Sequence, residues 1–296
     1  MSITRRDFLK YCSISAAALG LTASDLLHME QALANPTAPT ILWLQGASCT
    51  GCSESFLNRF STTAPTTAAD TLINSVNLAY HPNLMSIAGQ GAVDVINAAY
   101  TQGNYILAVE GGVPTAFGGA ACWAYTDNGV DVTFKDAVTR LAGKAAKILA
   151  IGTCASFGGI PASGANPAGI QSVKTATGKA TINIAGCATH PDWIVWTIVQ
   201  LLTGKAIPLD SNGRPTGLFS GTVHSRCPRR DLDDGSYGHV GCLESIGCRG
   251  PATTAMCPVS QWNNGVNWCI GANVPCLGCT EPTFPGTNAF YRPGSG

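Results

Sequence analysis

Between Thr40 and about Lys205 short apolar runs alternate with polar, glycine-punctuated stretches, and beyond Ala206 that alternation stops. Ile41-Leu42-Trp43-Leu44, Ile106-Leu107-Ala108-Val109, Ile148-Leu149-Ala150-Ile151 and Ile182-Asn183-Ile184-Ala185 are four such runs, with Val76-Asn77-Leu78-Ala79-Tyr80 a weaker fifth. Short continuous apolar runs suit parallel strands buried on both faces. Helix-like segments lie between them, including Asp136 to Lys147, and Asp192 to Leu202 following Pro191. Strands alternating with helices predict an α/β fold built on a parallel sheet.

The residues just after each strand carry the chemistry. The first run leads to Gly46 and then Cys49-Thr50-Gly51-Cys52, another to Glu110-Gly111-Gly112, the next to Gly152-Thr153-Cys154 and the last to Gly186-Cys187. In open parallel sheets, ligands bind outside the carboxyl ends of the strands. Three strand ends would therefore bring Cys49, Cys52, Cys154 and Cys187 to one sheet edge. A lone cysteine is ordinarily a small buried hydrophobe. Four on one edge predict a four-iron cluster, whose usual ligands are four thiolates.

Beyond Ala206 glycine and proline are frequent, apolar periodicity vanishes and no long helix is evident. Seven cysteines fall there: Cys227, Cys242, Cys248, Cys257, Cys269, Cys276 and Cys279, with a His224-x-x-Cys227 pair and a closing Cys276-x-x-Cys279. Such a segment is expected to be stapled by inorganic clusters rather than by a large core, and to fold poorly without them. Eleven cysteines and one histidine make twelve ligands, enough for three four-iron clusters. That count points to an electron wire.

Composition narrows the classes. Only 11% of residues are charged, against a usual ~25%, which suits a surface covered in part by a partner. Acidic and basic residues balance at 17 each, so nothing suggests nucleic acid or an anionic membrane surface. No internal repeat, Walker motif, dinucleotide fingerprint or G-x-S-x-G occurs.

The N-terminus reads as a targeting signal. Thr4-Arg5-Arg6-Asp7-Phe8-Leu9-Lys10 precedes an apolar run from about Tyr11 to Ala23, and Ala32-Leu33-Ala34 offers an A-x-A cleavage site. Paired arginines ahead of so short a run predict Tat export to the periplasm and loss of residues 1–34, Cys12 included. The mature chain carries no further stretch of membrane-spanning length, leaving membrane association to another subunit. An oxidising compartment also admits a disulfide-braced, non-redox binding protein. The odd cysteine count, the x-x spacings and the Tat signature weigh against it; structural zinc is the other alternative.

Taken together these motifs resemble the small, electron-transferring subunit of periplasmic nickel–iron hydrogenases, particularly the nickel–iron–selenium branch. The resemblance runs from the twin-arginine leader through Cys49-Thr50-Gly51-Cys52-Ser53, Val109-Glu110-Gly111, Gly152-Thr153-Cys154-Ala155 and His190-Pro191-Asp192-Trp193. It continues through Cys227-Pro228-Arg229-Arg230, Gly247-Cys248-Arg249-Gly250-Pro251, Trp262-Asn263-Asn264-Gly265 and Cys276-Leu277-Gly278-Cys279-Thr280-Glu281-Pro282.

The resemblance implies a flavodoxin-like domain over residues 35–205 and an irregular iron–sulfur domain over 206–296. It implies a proximal cluster on Cys49, Cys52, Cys154 and Cys187, and a distal one on His224, Cys227, Cys242 and Cys248. His239-x-x-Cys242 is a competing pair, and the Thr222-Val223-His224 context favours His224. Many members hold a three-iron medial cluster with a proline at the fourth position. Cys269 stands there in this chain, so Cys257, Cys269, Cys276 and Cys279 are expected to hold a four-iron medial cluster, or a three-iron one should Cys269 not ligate.

Oxygen-tolerant members carry two extra cysteines at positions matching Gly51 and Gly159, so an ordinary proximal cube is expected. Ala188-Thr189 and Ser48 depart from the usual prolines and glutamate without implying lost function. Glu54 and Glu110 are candidates for a proton path; Glu54 equally suits the first turn of a helix. Cys122 is read as a buried thiol. The implied activity interconverts dihydrogen with protons and electrons at the nickel–iron site of a hydrogenase large subunit. With no C-terminal transmembrane helix, the expected acceptor is a soluble carrier, a multihaem c-type cytochrome. The related quinone-reductase iron–sulfur subunit shares the first domain but lacks the cysteine-rich second one.

Overall fold

The structure, a computed structural model, describes residues 39–286 except 63, 64, 75 and 237. The twin-arginine segment and its cleavage site lie outside the described residues.

Five strands form one parallel sheet: β1 (Thr40–Gln45), β2 (Asn77–Tyr80), β3 (Tyr105–Glu110), β4 (Ala145–Ile151) and β5 (Ile182–Ile184). They lie in the order β2-β1-β3-β4-β5, the flavodoxin-like doubly wound order. All five apolar runs are strands, the weak second one included. Its register slips between Ile41 and Leu42, where it pairs with β1 at the sheet edge.

Helices α1 (Gly51–Leu57), α2 (Ala68–Asn74), α3 (Gln90–Gln102), α4 (Phe134–Ala142), α5 (Gly152–Phe157) and α6 (Val173–Thr177) lie between the strands, and α7 (Pro191–Leu202) follows β5. Because successive side chains point to opposite faces, the strands feed two cores. Ile41, Trp43, Ile106, Leu149, Ile151 and Ile184 pack with Phe56 of α1 and with Trp193 and Ile194 of α7. Leu42, Leu44, Leu107, Val109 and Ile148 pack with Ile96 of α3 and with Val138 and Leu141 of α4. Each face is covered, which is why the strands read as continuous apolar runs.

Two helix ends show what the sequence decides locally. Thr133 caps α4: its hydroxyl accepts from the Asp136 amide at 3.1 Å and donates to the Asp136 carboxylate at 2.8 Å, a reciprocal N-terminal lock. At α7, Pro191 takes the first helical position, where no amide partner is needed, and Asp192 faces the positive end of the helix. The helix expected over Asp136 to Lys147 is displaced. It begins at Phe134 and stops at Ala142, because Ala145 and Lys147 pair with Tyr105 and Ile106 in the sheet. Tertiary pairing outweighs the weak preference of Ala145, Ala146 and Lys147 for helix.

From 206 onward the described residues form three short 3-10 turns (His224–Arg226, Glu244–Ile246, Gly250–Ala252) and one four-residue helix, α8 (Cys257–Ser260). This region is not free-standing. Leu218, Phe219, Val223, Leu243, Trp268 and Ile270 are buried in the same cluster as Trp193 and Ile194, against the α1/α7 face of the sheet. No described helix is long and apolar enough to cross a membrane.

Candidate metal centres

Three strand ends meet at the first site. Cys49 and Cys52 flank the entry to α1, Cys154 stands in the first turn of α5, and Cys187 lies just past β5. The loops are held at contact distance from the sulfurs by glycines. A Cβ on Gly152 would lie 2.6 Å from Cys52 Sγ, one on Gly51 3.1 Å from Cys49 Sγ, and one on Gly159 3.1 Å from Cys154 Sγ. The Thr189 amide points at Cys52 Sγ from 3.5 Å.

Electrostatics ties the four together. Burial pushes the Cys154 thiol up to about 12, with the neighbouring charges of Cys187, Cys49 and Glu110 adding to the rise. Burial raises Cys52 further still, helped by Glu110 and Cys154. Burial and Cys49 raise Cys187. Thiols this crowded resist ionising together unless a cation neutralises them, and a coordinated metal does so outright.

Glu110, at the end of β3, is the anchor of that site. Its buried carboxylate accepts from the Cys52 amide at 3.0 Å, the Ser53 amide at 3.1 Å, Trp43 Nε1 at 3.1 Å and Gln45 Nε2 at 3.1 Å, and from the Ser53 hydroxyl. Two of those donors are otherwise unpaired amides at the start of α1. The Ser53 hydroxyl also lies 3.2 Å from His81 Nε2, and the Asn83 amide donates to His81 Nδ1 at 3.2 Å. Glu54, the other proton-path candidate, is exposed in the first turn of α1.

The second site gathers Cys257, Cys269, Cys276 and Cys279. Burial raises the Cys257 thiol well above its ordinary value, and Cys279, Cys276 and Cys269 all add to the rise. Cys269 is a charged neighbour of Cys257, Cys276 and Cys279, and it also lies beside Cys248 of the third site. Cys276 Sγ lies 3.7 Å from the Thr253 hydroxyl. The closing loop is clamped by the buried Arg214, which donates to the Thr280 carbonyl and to Glu281, both at 3.0 Å, and pairs with Asp210 at 2.8 Å.

At the third site, burial raises Cys227, opposed by the Arg229 amide, with Cys248 and Cys242 as charged neighbours. His224 and Cys242 present ligand atoms within 4.8 Å of one another, and the Glu244 carboxylate joins them at the same range. His224 is 30% exposed and lies 3.8 Å from Glu244 through Nε2. His239 is exposed and bonds through its amide to the Ser236 carbonyl. Cys122 is half-buried beside the α3/α4 core, away from every other described cysteine, and burial raises its thiol. None of the twelve described cysteines forms a disulfide.

Sequence reasoning missed the supporting residues: Ser53, His81, Thr153, Arg214 and Glu244. Their contacts come from elements far away in the chain. Ser53, Thr153 and Glu244 carried a local sign, lying one or two positions from Cys52, Cys154 and Cys242.

Comparison with known proteins places the chain in a family. The family model described as NADH ubiquinone oxidoreductase, 20 kDa subunit, matches residues 49–201, and the model for the C-terminal region of the NiFe/NiFeSe hydrogenase small subunit matches residues 219–292. The periplasmic NiFeSe hydrogenase small subunit of Desulfomicrobium baculatum is 35% identical over 98% of this chain and 99% of its own. The chain belongs to the nickel–iron hydrogenase small-subunit family. A second hydrogenase relative, the periplasmic NiFe hydrogenase small subunit of Solidesulfovibrio fructosivorans, is 36% identical over 99% of this chain and 94% of its own. The solved recombinant NiFeSe hydrogenase of Desulfovibrio vulgaris Hildenborough superposes with a TM-score of 0.80 at 35% identity, covering 88% of this chain and 99% of that one. The hydrogenase match over residues 219–292 covers the region that separates this reading from the quinone-reductase alternative, and membership sets aside the disulfide-braced binding protein. As a hydrogenase small subunit, the chain is part of an oxidoreductase.

The donor sets fit iron–sulfur clusters: crowded thiols, amides aimed at sulfur, and glycines where a side chain would fill the space beside the sulfurs.

Proposed function

We propose that this chain is the electron-transfer half of an exported periplasmic hydrogenase, holding three iron–sulfur clusters in line between a large subunit and an outside carrier. The observation that supports this reading is proximity: Cys154 has Cys187 and Cys49 as charged neighbours, Cys257 has Cys279, Cys276 and Cys269, and Cys227 has Cys248 and Cys242, with His224 beside Cys242. Each cluster, when bound, takes up and releases single electrons at a potential set by its ligands and their hydrogen bonds.

The chain's own residues supply the rest. Cys49, Cys52, Cys154 and Cys187 hold the proximal group, where the large subunit's nickel–iron site delivers electrons from dihydrogen. Cys257, Cys269, Cys276 and Cys279 hold the medial one. His224, Cys227, Cys242 and Cys248 hold the distal one, and the partial exposure of His224 suits electron exit to a soluble multihaem c-type cytochrome. The dihydrogen chemistry itself belongs to the large subunit. Residues 1–34 serve as the Tat signal, 35–205 as the flavodoxin-like domain and 206–296 as the iron–sulfur domain.

Anaerobic native mass spectrometry of the chain with its large subunit tests the reading. Twelve iron and twelve sulfide are expected for three four-iron clusters; a metal-free chain would sink it. The Cys269→Pro variant is expected to lose one iron and to show, when oxidised, a paramagnetic three-iron signal. Its absence, with iron unchanged, would remove Cys269 from the ligand set.

A further inference from the structure

Neighbouring sites meet where the peptide amide of one ligand approaches the sulfur of the next. The Cys187 amide faces the Cys279 sulfur, between the proximal and medial groups. The Cys276 amide lies 3.2 Å from Cys248 Sγ, linking the medial and distal groups. Both joints are made of backbone and sulfur, and a side chain can brace them.

At the first joint that side chain is Thr153, which is 1% exposed. Its hydroxyl accepts from the Gly186 amide at 2.9 Å and donates to the Cys279 carbonyl. Its own amide donates to the Gly186 carbonyl at 3.0 Å. Thr153 immediately precedes Cys154, and Gly186 immediately precedes Cys187. One hydroxyl therefore touches the loops of two proximal ligands and the backbone of a medial one. A hydroxyl can donate and accept at once, and a methyl of the same size can do neither.

Other bonds between α7 and the C-terminal region do not involve ligand residues. His190 Nε2 donates to the Gln261 carbonyl, and Trp193 Nε1 donates to the Ser260 hydroxyl at 3.1 Å. They keep the region docked whatever stands at 153.

We propose that Thr153 is a positioning residue whose hydroxyl fixes the spacing of the proximal and medial clusters, and with it the passage of electrons between them. This rests on the assignment of Cys154, Cys187 and Cys279 as cluster ligands. The transfer it governs moves one electron from the reduced site to the oxidised one, with no bond broken and no proton moved.

The test uses the intact heterodimer as parent, Thr153→Val and Thr153→Ser. Iron and sulfide are counted first; a parent without clusters would overturn the ligand assignment and the inference with it. Low-temperature paramagnetic resonance of the fully reduced protein then reads the magnetic interaction between the two sites. Thr153→Val is expected to keep its iron and to lose the splitting seen in the parent, while Thr153→Ser retains it. A splitting unchanged in Thr153→Val overturns the proposal, as does an equal effect in both variants, which would make the role one of packing. Should Thr153→Val load poorly, joint loss of iron from both sites with Thr153→Ser intact supports the proposal, and loss from one site alone refutes it.

Discussion

His81 and Glu110 support the first ligand loop without ligating anything. Asn83 donates to His81 Nδ1, so the ring proton sits on Nε2, facing the Ser53 hydroxyl. Ser53 in turn donates to Glu110, which holds the Cys52 amide. Burial lowers the His81 pKa to about 4, against the pull of Glu110 in the other direction. Between about 6.5 and about 4 the unfolded chain binds a proton that the folded chain refuses, so stability falls as pH drops through that window. The parent should lose roughly 1 kcal/mol more than His81→Gln between about pH 6.5 and pH 5.5. Denaturant midpoints of both proteins at the two pH values check this; parallel shifts would mean that His81 titrates normally. Glu110 stood out in the sequence as a strand-end carboxylate, but its hydrogen bonds and the part played by Ser53 and His81 were not legible there. The cysteines announce themselves by spacing; a serine and a histidine acquire meaning only when β1, β3 and the loop after β2 meet.

At the level of elements, the strand ends were legible and the helix ends less so. Four apolar runs and the glycines behind them put Cys49, Cys52, Cys154 and Cys187 after three strand ends from sequence alone, because parallel sheets bring such loops to one edge. The span of α4 was misplaced because Ala145, Ala146 and Lys147 suit helix by propensity yet are claimed by β3. The same edge explains Gly152. Its φ of +84° is one that side chains rarely adopt, and a methyl would meet Cys52 Sγ. Gly152→Ala should therefore lose the proximal cluster and keep the other two, leaving about eight iron of twelve. Iron counting on the purified heterodimer decides; full loading would show that the loop has room to shift.

Across the whole molecule, apolar side chains remain uncovered near the proximal site. Ile160, whose amide donates to the Cys154 sulfur, is 41% exposed, and α1 runs on into Leu57 at 41% and Phe60 at 58%. Together with the low charge, these side chains suit burial against the large subunit. Ile160→Lys is expected to weaken that association roughly tenfold or more while leaving the iron count unchanged. Affinity measured between separately purified subunits tests this, and an unaltered affinity would move the interface elsewhere. The irregular, helix-poor character of the C-terminal region was legible in the sequence. That it also shares a hydrophobic core with α7 was not, because Leu218, Phe219, Leu243 and Trp268 follow no period.

The Thr153 joint also imposes an order in time. Its partner carbonyl belongs to Cys279, 126 positions further along the chain. A ribosome that has released the entire sheet has still not made the residue whose carbonyl Thr153 meets. The nascent chain can fold its strands early, but the joint cannot close during synthesis of the first domain. The contact between Thr153 and Cys279 is consequently made only once residue 279 has been synthesised, and truncation ahead of it should be felt at the proximal group.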